Sequence, residues 1–150
     1  MSNWITITAD DVLTIMAGAE LKAVRNQALG TGQGDPLAPT ISEIIQVVRG
    51  YVAKSSTLSR GDTVPRKLQG ATLVLIRDRL LSRLPISDLT TADRTAQTNA
   101  AWRLLRDAGD GTFQVDSADD PISTETASAA PVELVHASKP HFTRNSLDGL

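Results

Sequence analysis

The chain has no cysteine. That excludes a disulfide framework, a thiolate nucleophile and a cysteine-ligated metal, and it fits a reducing compartment or indifference to redox state. Aromatic residues make up only 3%, a poor supply for stacking nucleic-acid bases. Histidine occurs only at His136 and His141. Neither lies in the first 110 residues, so no serine–histidine–acid triad can be assigned there. Two imidazoles without carboxylates or cysteines folded around them do not build a metal site. Long apolar runs are also missing: none approaches the ~20 residues needed to span a bilayer. The opening MSNWITITADD has neither the basic nor the apolar region of a signal peptide. A net charge of −2 and a pI near 5.6 argue against a grip on backbone phosphates. No catalytic residue, cofactor or metal ligand is assigned, and the expectation is a protein that is neither an enzyme nor membrane-bound.

What is present is helical periodicity. The stretch PRKLQGATLVLIRDRLLSRLP (65–85) has Leu68, Ala71 and Leu75 on one side of a helical wheel. Leu73, Ile76, Leu80 and Leu84 take another side, and Val74 with Leu81 a third. A helix apolar all round belongs inside a fold. The segment ATLVLI has strand character, but the unbroken run into RDRLLSRL is too long for a strand. Pro65 suits a first helical position. Thr8, with Asp10 and Asp11 behind it, predicts a helix over 8–20 that Gly18 weakens, with a short continuation to Leu29. Thr40 and Glu43 have capping-box spacing, and Ile41, Ile45, Val48 and Val52 predict a helix over 40–55. Thr90 or Thr91 opens a helix over 91–108, closed by Gly109. TFQVD (112–116) alternates like one short strand. The expected fold class is all-α: a bundle of about four helices around a central buried one, plus an extended C-terminal arm.

Charge and texture place the boundary near Asp110. Residues 1–109 carry thirteen Lys/Arg against ten Asp/Glu, whereas residues 110–150 carry two against seven. STETASAAP is small, polar and without periodicity, the composition of an arm. A body over 1–110 and an arm over 111–150 follow. The arm closes on Val132, Leu134, Val135, Phe142, Arg144, Leu147 and Leu150. A bland linker ending in such anchors predicts a segment that orders on a partner, and these seven are the candidate partner-binding residues.

Three other patterns have plainer readings. GTGQGD (30–35) follows a helix and runs into a proline, so it is an inter-helix loop and not a phosphate loop. DAGDGTFQVDSADD (107–120) has Thr112 where a calcium loop needs glycine. Arg66, Lys67, Arg77, Arg79 and Arg83 are spread around the wheel, and STLSRGDTV (56–64) is far too long for a helix-turn-helix turn. These cations are expected to snorkel outward or pair with acids.

The order of features then becomes recognisable. A TADDV helix is followed by a helix ending VRGYVA, a loop into VPRKLQGA, a long apolar helix closing LLSRLP, and a helix closing AWRLLRDAGDGTFQVD. Over residues 8–121 this resembles the small all-helical head-tail connector proteins of long-tailed bacteriophages, also called head completion or adaptor proteins. The resemblance implies a structural virion protein in the neck, assembled in the host bacterial cytoplasm. It implies a homo-oligomeric ring, commonly a dodecamer, beneath the portal protein, where it extends the DNA channel and docks a tail-side stopper or tail terminator protein. DNA would pass through without sequence-specific binding. The alternative from another class is a helical DNA-binding or regulatory domain, marked by salt-dependent DNA binding; a carboxylate-based enzyme is a third.

Overall fold

The computed structural model describes residues 1–28, 32–84 and 89–122. Among these the chain is mostly helical. Five α-helices, α1 (Ala9–Val12), α2 (Gly18–Ala28), α3 (Leu37–Val52), α4 (Gln69–Leu81) and α5 (Ala92–Gly109), accompany a ribbon of β1 (Trp4–Thr6) and β2 (Thr63–Pro65). No helix among the described residues is long and apolar enough to cross a membrane.

Helix α4 is the hub. It packs against both α3 and α5, which also touch each other. Leu75 is 2% exposed and Ile76 0%, and Leu73, Leu80 and Leu81 are buried around them. Only Asp78 and Arg79 open one strip of its last turns to solvent. The apolar wheel of this stretch thus translates directly into burial on nearly every side.

The start of that helix differs from expectation. Pro65 does not open it; it pairs with Trp4 as the last residue of β2, and a 3-10 turn (Arg66–Leu68) precedes α4. Arg66 donates its main-chain N–H to the Asn3 carbonyl at 2.8 Å. In an antiparallel ladder hydrogen-bonded and open pairs alternate, so Pro65 occupies an open pair where its missing N–H would have pointed away from β1.

Helix α3 begins at Leu37, not Thr40. The Asp35 carboxylate accepts the Leu37 N–H at 3.0 Å, and Pro36 stands at the N-cap. The expected capping box is not formed. Thr40 is fully buried with its hydroxyl unpartnered among the described residues, while Glu43 turns outward to Arg79 at 2.9 Å. The first helix is likewise shorter than 8–20. Thr8 caps it through the Asp11 N–H, and the Asp11 carboxylate returns to the Thr8 N–H at 2.8 Å. After one turn the bonds tighten to three-residue spacing through Leu13, Thr14 and Ile15. The Thr14 hydroxyl also takes the Asp11 carbonyl at 2.6 Å, competing for the helix ladder. Gly18, expected to weaken the end of this helix, opens α2 instead.

Residues 112–116 are no strand. Phe113 and Val115 do face the core alternately, but no neighbouring strand lies beside them among the described residues. Residues 111–122 lie against the rest of the described chain, bound at several points.

Candidate functional site

The seven candidate partner-binding residues, Val132, Leu134, Val135, Phe142, Arg144, Leu147 and Leu150, lie outside the described residues, as do His136 and His141. The structure describes the root from which they extend.

The root is built where α5 stops. A β-carbon on Gly109 would meet the Tyr51 carbonyl oxygen at 3.2 Å, so a bare backbone passes against the end of α3 there. Tyr51 packs against Trp102 with ring centroids 6.3 Å apart, an edge-tilted aromatic pair. Gly111 then takes φ +78°, a left-handed conformation that reverses the chain. The Phe113 N–H donates back to the Asp107 carbonyl at 3.0 Å.

Three carboxylates tie the returning segment down. Asp116 accepts the Lys67 main-chain N–H at 2.9 Å and lies 3.5 Å from the Lys67 ammonium. Asp119 accepts the Ser2 hydroxyl at 2.6 Å and the N–H groups of Asn3 and Trp4 at 3.1 and 2.7 Å. The Ser2 hydroxyl and these two amides hold its carboxyl below the ordinary carboxylate value. Asp120 sits 3.7 Å from the Arg60 guanidinium, an exposed pair of little energetic weight. Between these anchors the buried Trp4 indole donates to the carbonyls of Asp116 and Ser117 at 3.2 and 3.0 Å.

Residues 120–122 finally lie antiparallel to residues 58–60. Arg60 donates to the Asp120 carbonyl at 2.8 Å and Ile122 to the Leu58 carbonyl at 2.9 Å. That loop is held from beneath by Arg49, 7% exposed, which donates to the Ser59 and Thr63 carbonyls, each at 2.8 Å. The same guanidinium stands 5.8 Å from the centre of a Trp4 ring. One buried arginine thus couples the loop, the ribbon and the N-terminal strand.

The basic residues of the 65–85 stretch are dispersed. Arg77 turns inward to Gln97 at 2.9 Å, with its Nε unpartnered among the described residues. Burial, reinforced by nearby Arg94, pushes its guanidinium below the usual arginine value. Arg79 pairs with Glu43, Lys67 with Asp116, and Arg66 reaches the Ser2 carbonyl. They form no stripe for a phosphate backbone.

A second feature was not foreseen from the sequence. Beside the ribbon, α3 and the β1–α1 turn enclose an open groove of about 450 Å³, floored by Ile7, Leu37, Ile41 and Ile45. Arg25, Asp35 and Asp62 stand on its walls, and Arg25 pairs with Asp35. The Leu37 N–H and the Arg25 guanidinium hold the Asp35 carboxyl below its ordinary value. The alternation Ile5-Thr6-Ile7-Thr8 was the available signal for the neighbouring strand, but it overlaps a strand of only three residues.

Chemically, the root fastens the segment after α5 to the N-terminal strand and to Lys67. The carboxylates at the root are engaged by amides and cations, and no group of three His, Asp or Glu among the described residues is placed to hold a metal ion. Comparison of the chain with protein-family models, with curated proteins and with solved structures finds no match.

Proposed function

We propose that the protein is a head-tail connector, or adaptor, of a long-tailed bacteriophage. On this reading α1, α3, α4 and α5 form a bundle of about four helices, and copies assemble as a ring, commonly of twelve, beneath the portal protein. The ring extends the DNA channel and docks a tail-side stopper or tail terminator protein, and DNA passes through without sequence-specific binding.

The supporting observation is the convergence of three of the motifs that carry the resemblance. Arg49-Gly50-Tyr51 ends α3, the stretch from Val64 to Lys67 forms β2 and the following turn, and Trp102 to Phe113 ends α5. Tyr51 meets Trp102 and Gly109, Arg49 holds the Thr63 carbonyl, and Lys67 holds Asp116. Segments far apart in sequence therefore cooperate in one construction, which fixes the exit of the arm. A neck component needs such a stiff body with a defined exit for a reaching segment.

The test is to mix the full chain with a purified portal ring and image the product. Rings of this chain stacked coaxially on the portal support the proposal. A tight dimer at micromolar concentration that ignores portals overturns it. DNA binding that weakens steeply with salt would move the assignment to the regulatory class.

A further inference from the structure

The outer edge of β1 is covered by its own chain at Trp4 but not, among the described residues, at Thr6. Residues 3 and 66 form a hydrogen-bonded pair, so Ile5 and Val64 form the next, and the polar groups of Trp4, Thr6, Thr63 and Pro65 point outward. On the β2 side Arg49 donates to the Thr63 carbonyl, and Pro65 has no N–H. On the β1 side the Asp119 carboxylate accepts the Trp4 N–H, and the Ser2 hydroxyl that donates to Asp119 lies beside the Trp4 carbonyl. The outward amide and carbonyl of Thr6 have no partner among the described residues. Thr6 also lines the apolar groove. A main-chain pairing site and an apolar trough therefore meet at one residue, as in sites that take up an extended peptide.

We propose that the occupant is the chain's own arm, residues 132–135, docked in the groove in an extended form. Geometry supports this choice. The arm leaves the body beside Ser59, and Asp62 on the groove wall is three residues further along, within about 10 Å. The nine residues 123–131 span up to about 30 Å when extended and roughly 17 Å as a flexible coil. Tethering at that length raises the local concentration of the segment far above that of any free chain. The side chains match as well. In an extended VELV, Val132 and Leu134 share one face, which suits an apolar floor, while Glu133 and Val135 share the other. Docked this way, Val132 and Leu134 stay out of water until a partner takes them.

The experiment uses the full chain carrying the photo-crosslinker p-benzoylphenylalanine at Leu134, as an equimolar mixture of light and nitrogen-15-labelled protein. On irradiation, cross-links are expected to the peptides containing Thr6 or residues 35–45, within chains of one isotope. Ala38→Arg and Ser42→Arg place a large cation at exposed positions on the groove wall and should abolish those cross-links with helicity unchanged by circular dichroism. Mixed-isotope products would show that the arm serves a second copy and overturn docking within the chain. Cross-links to other surfaces, no cross-link to the body, or yields indifferent to both substitutions would overturn the groove as its site.

Discussion

Gly109 lies so close to Tyr51 that a methyl group there would stand 3.2 Å from the Tyr51 carbonyl oxygen and 3.4 Å from its ring. Gly50, on the exposed side of α3, has nothing within 4 Å of the same position. The two glycines predict opposite outcomes. Gly50→Ala relieves the helix of glycine's backbone entropy and should stabilise by about 0.5–1 kcal/mol. Gly109→Ala gains the same term but must push back a main-chain oxygen, an overpacking that costs about 1–3 kcal/mol, so the net change should be destabilising. Urea denaturation of both variants decides it; equal stabilisation would remove the close approach as a feature of the fold.

The burial of α4 gives the second prediction. Leu75→Ala or Ile76→Ala should cost roughly 2–5 kcal/mol, according to how far the site collapses. Losses below about 0.5 kcal/mol at both positions would contradict a central α4.

Arg49 predicts a difference between two arginines. Arg49→Lys keeps the charge but loses the fork that reaches two carbonyls, leaving a buried acceptor unmet at a cost of about 1–3 kcal/mol. Arg79→Lys at the exposed Glu43 pair should change stability by less than about 0.5 kcal/mol. Chemical denaturation should rank them in that order; the reverse order would mean that Arg49 does not hold the loop.

A pH dependence follows from Asp119. Its carboxyl is held below the ordinary value by Ser2, Asn3 and Trp4, so the folded state binds the proton less readily than the unfolded one. The stabilisation is then fully present above the unfolded carboxylate pKa of about 3.9 and is lost as pH falls through the lower folded value. The stability gap between the native chain and Asp119→Asn should be level from pH 5 to 8 and close below about pH 4. A gap that persists unchanged into acid would assign the effect to lost shape and not to charge.

For the proposed connector role, truncation after Ala129 removes every candidate anchor of the arm. The shortened chain should fail to enter portal complexes that the full chain enters. Equal incorporation, measured by co-sedimentation, would show that the arm is no anchor.

The elements that could be read from the sequence were those whose reasons are local. The wheel of 65–85, the Thr8 cap and the Thr91 cap each depend on residues within one or two turns, and α4, α1 and α5 appear there. Misplacements came from local signals overruled at a distance. Thr40 has capping-box spacing, yet Asp35 and Pro36 start the helix a turn earlier and the core claims the threonine. Pro65 reads as a helix start until Trp4 pairs with it. The Trp4 strand and the groove beside it depend on partners about sixty residues away, which no window along the chain contains. Of the candidate site, the arm's seven residues lie outside the described residues, and its root was not legible in the sequence, because Asp116 and Asp119 look like ordinary surface acids until Lys67 and the N-terminal amides are set against them.

The bond from the Trp4 amide to Asp119 joins residues separated by 115 positions. A contact so distant in sequence carries a heavy loop-closure cost and forms late. During synthesis, on the order of ten seconds elapse between the appearance of these two residues at typical translation rates. The earliest strand made therefore waits, its tryptophan unsealed, until the last turn of the body has left the ribosome. Sealing Trp4 and launching the arm are consequently one event in time, and a chain cut short by premature termination can do neither.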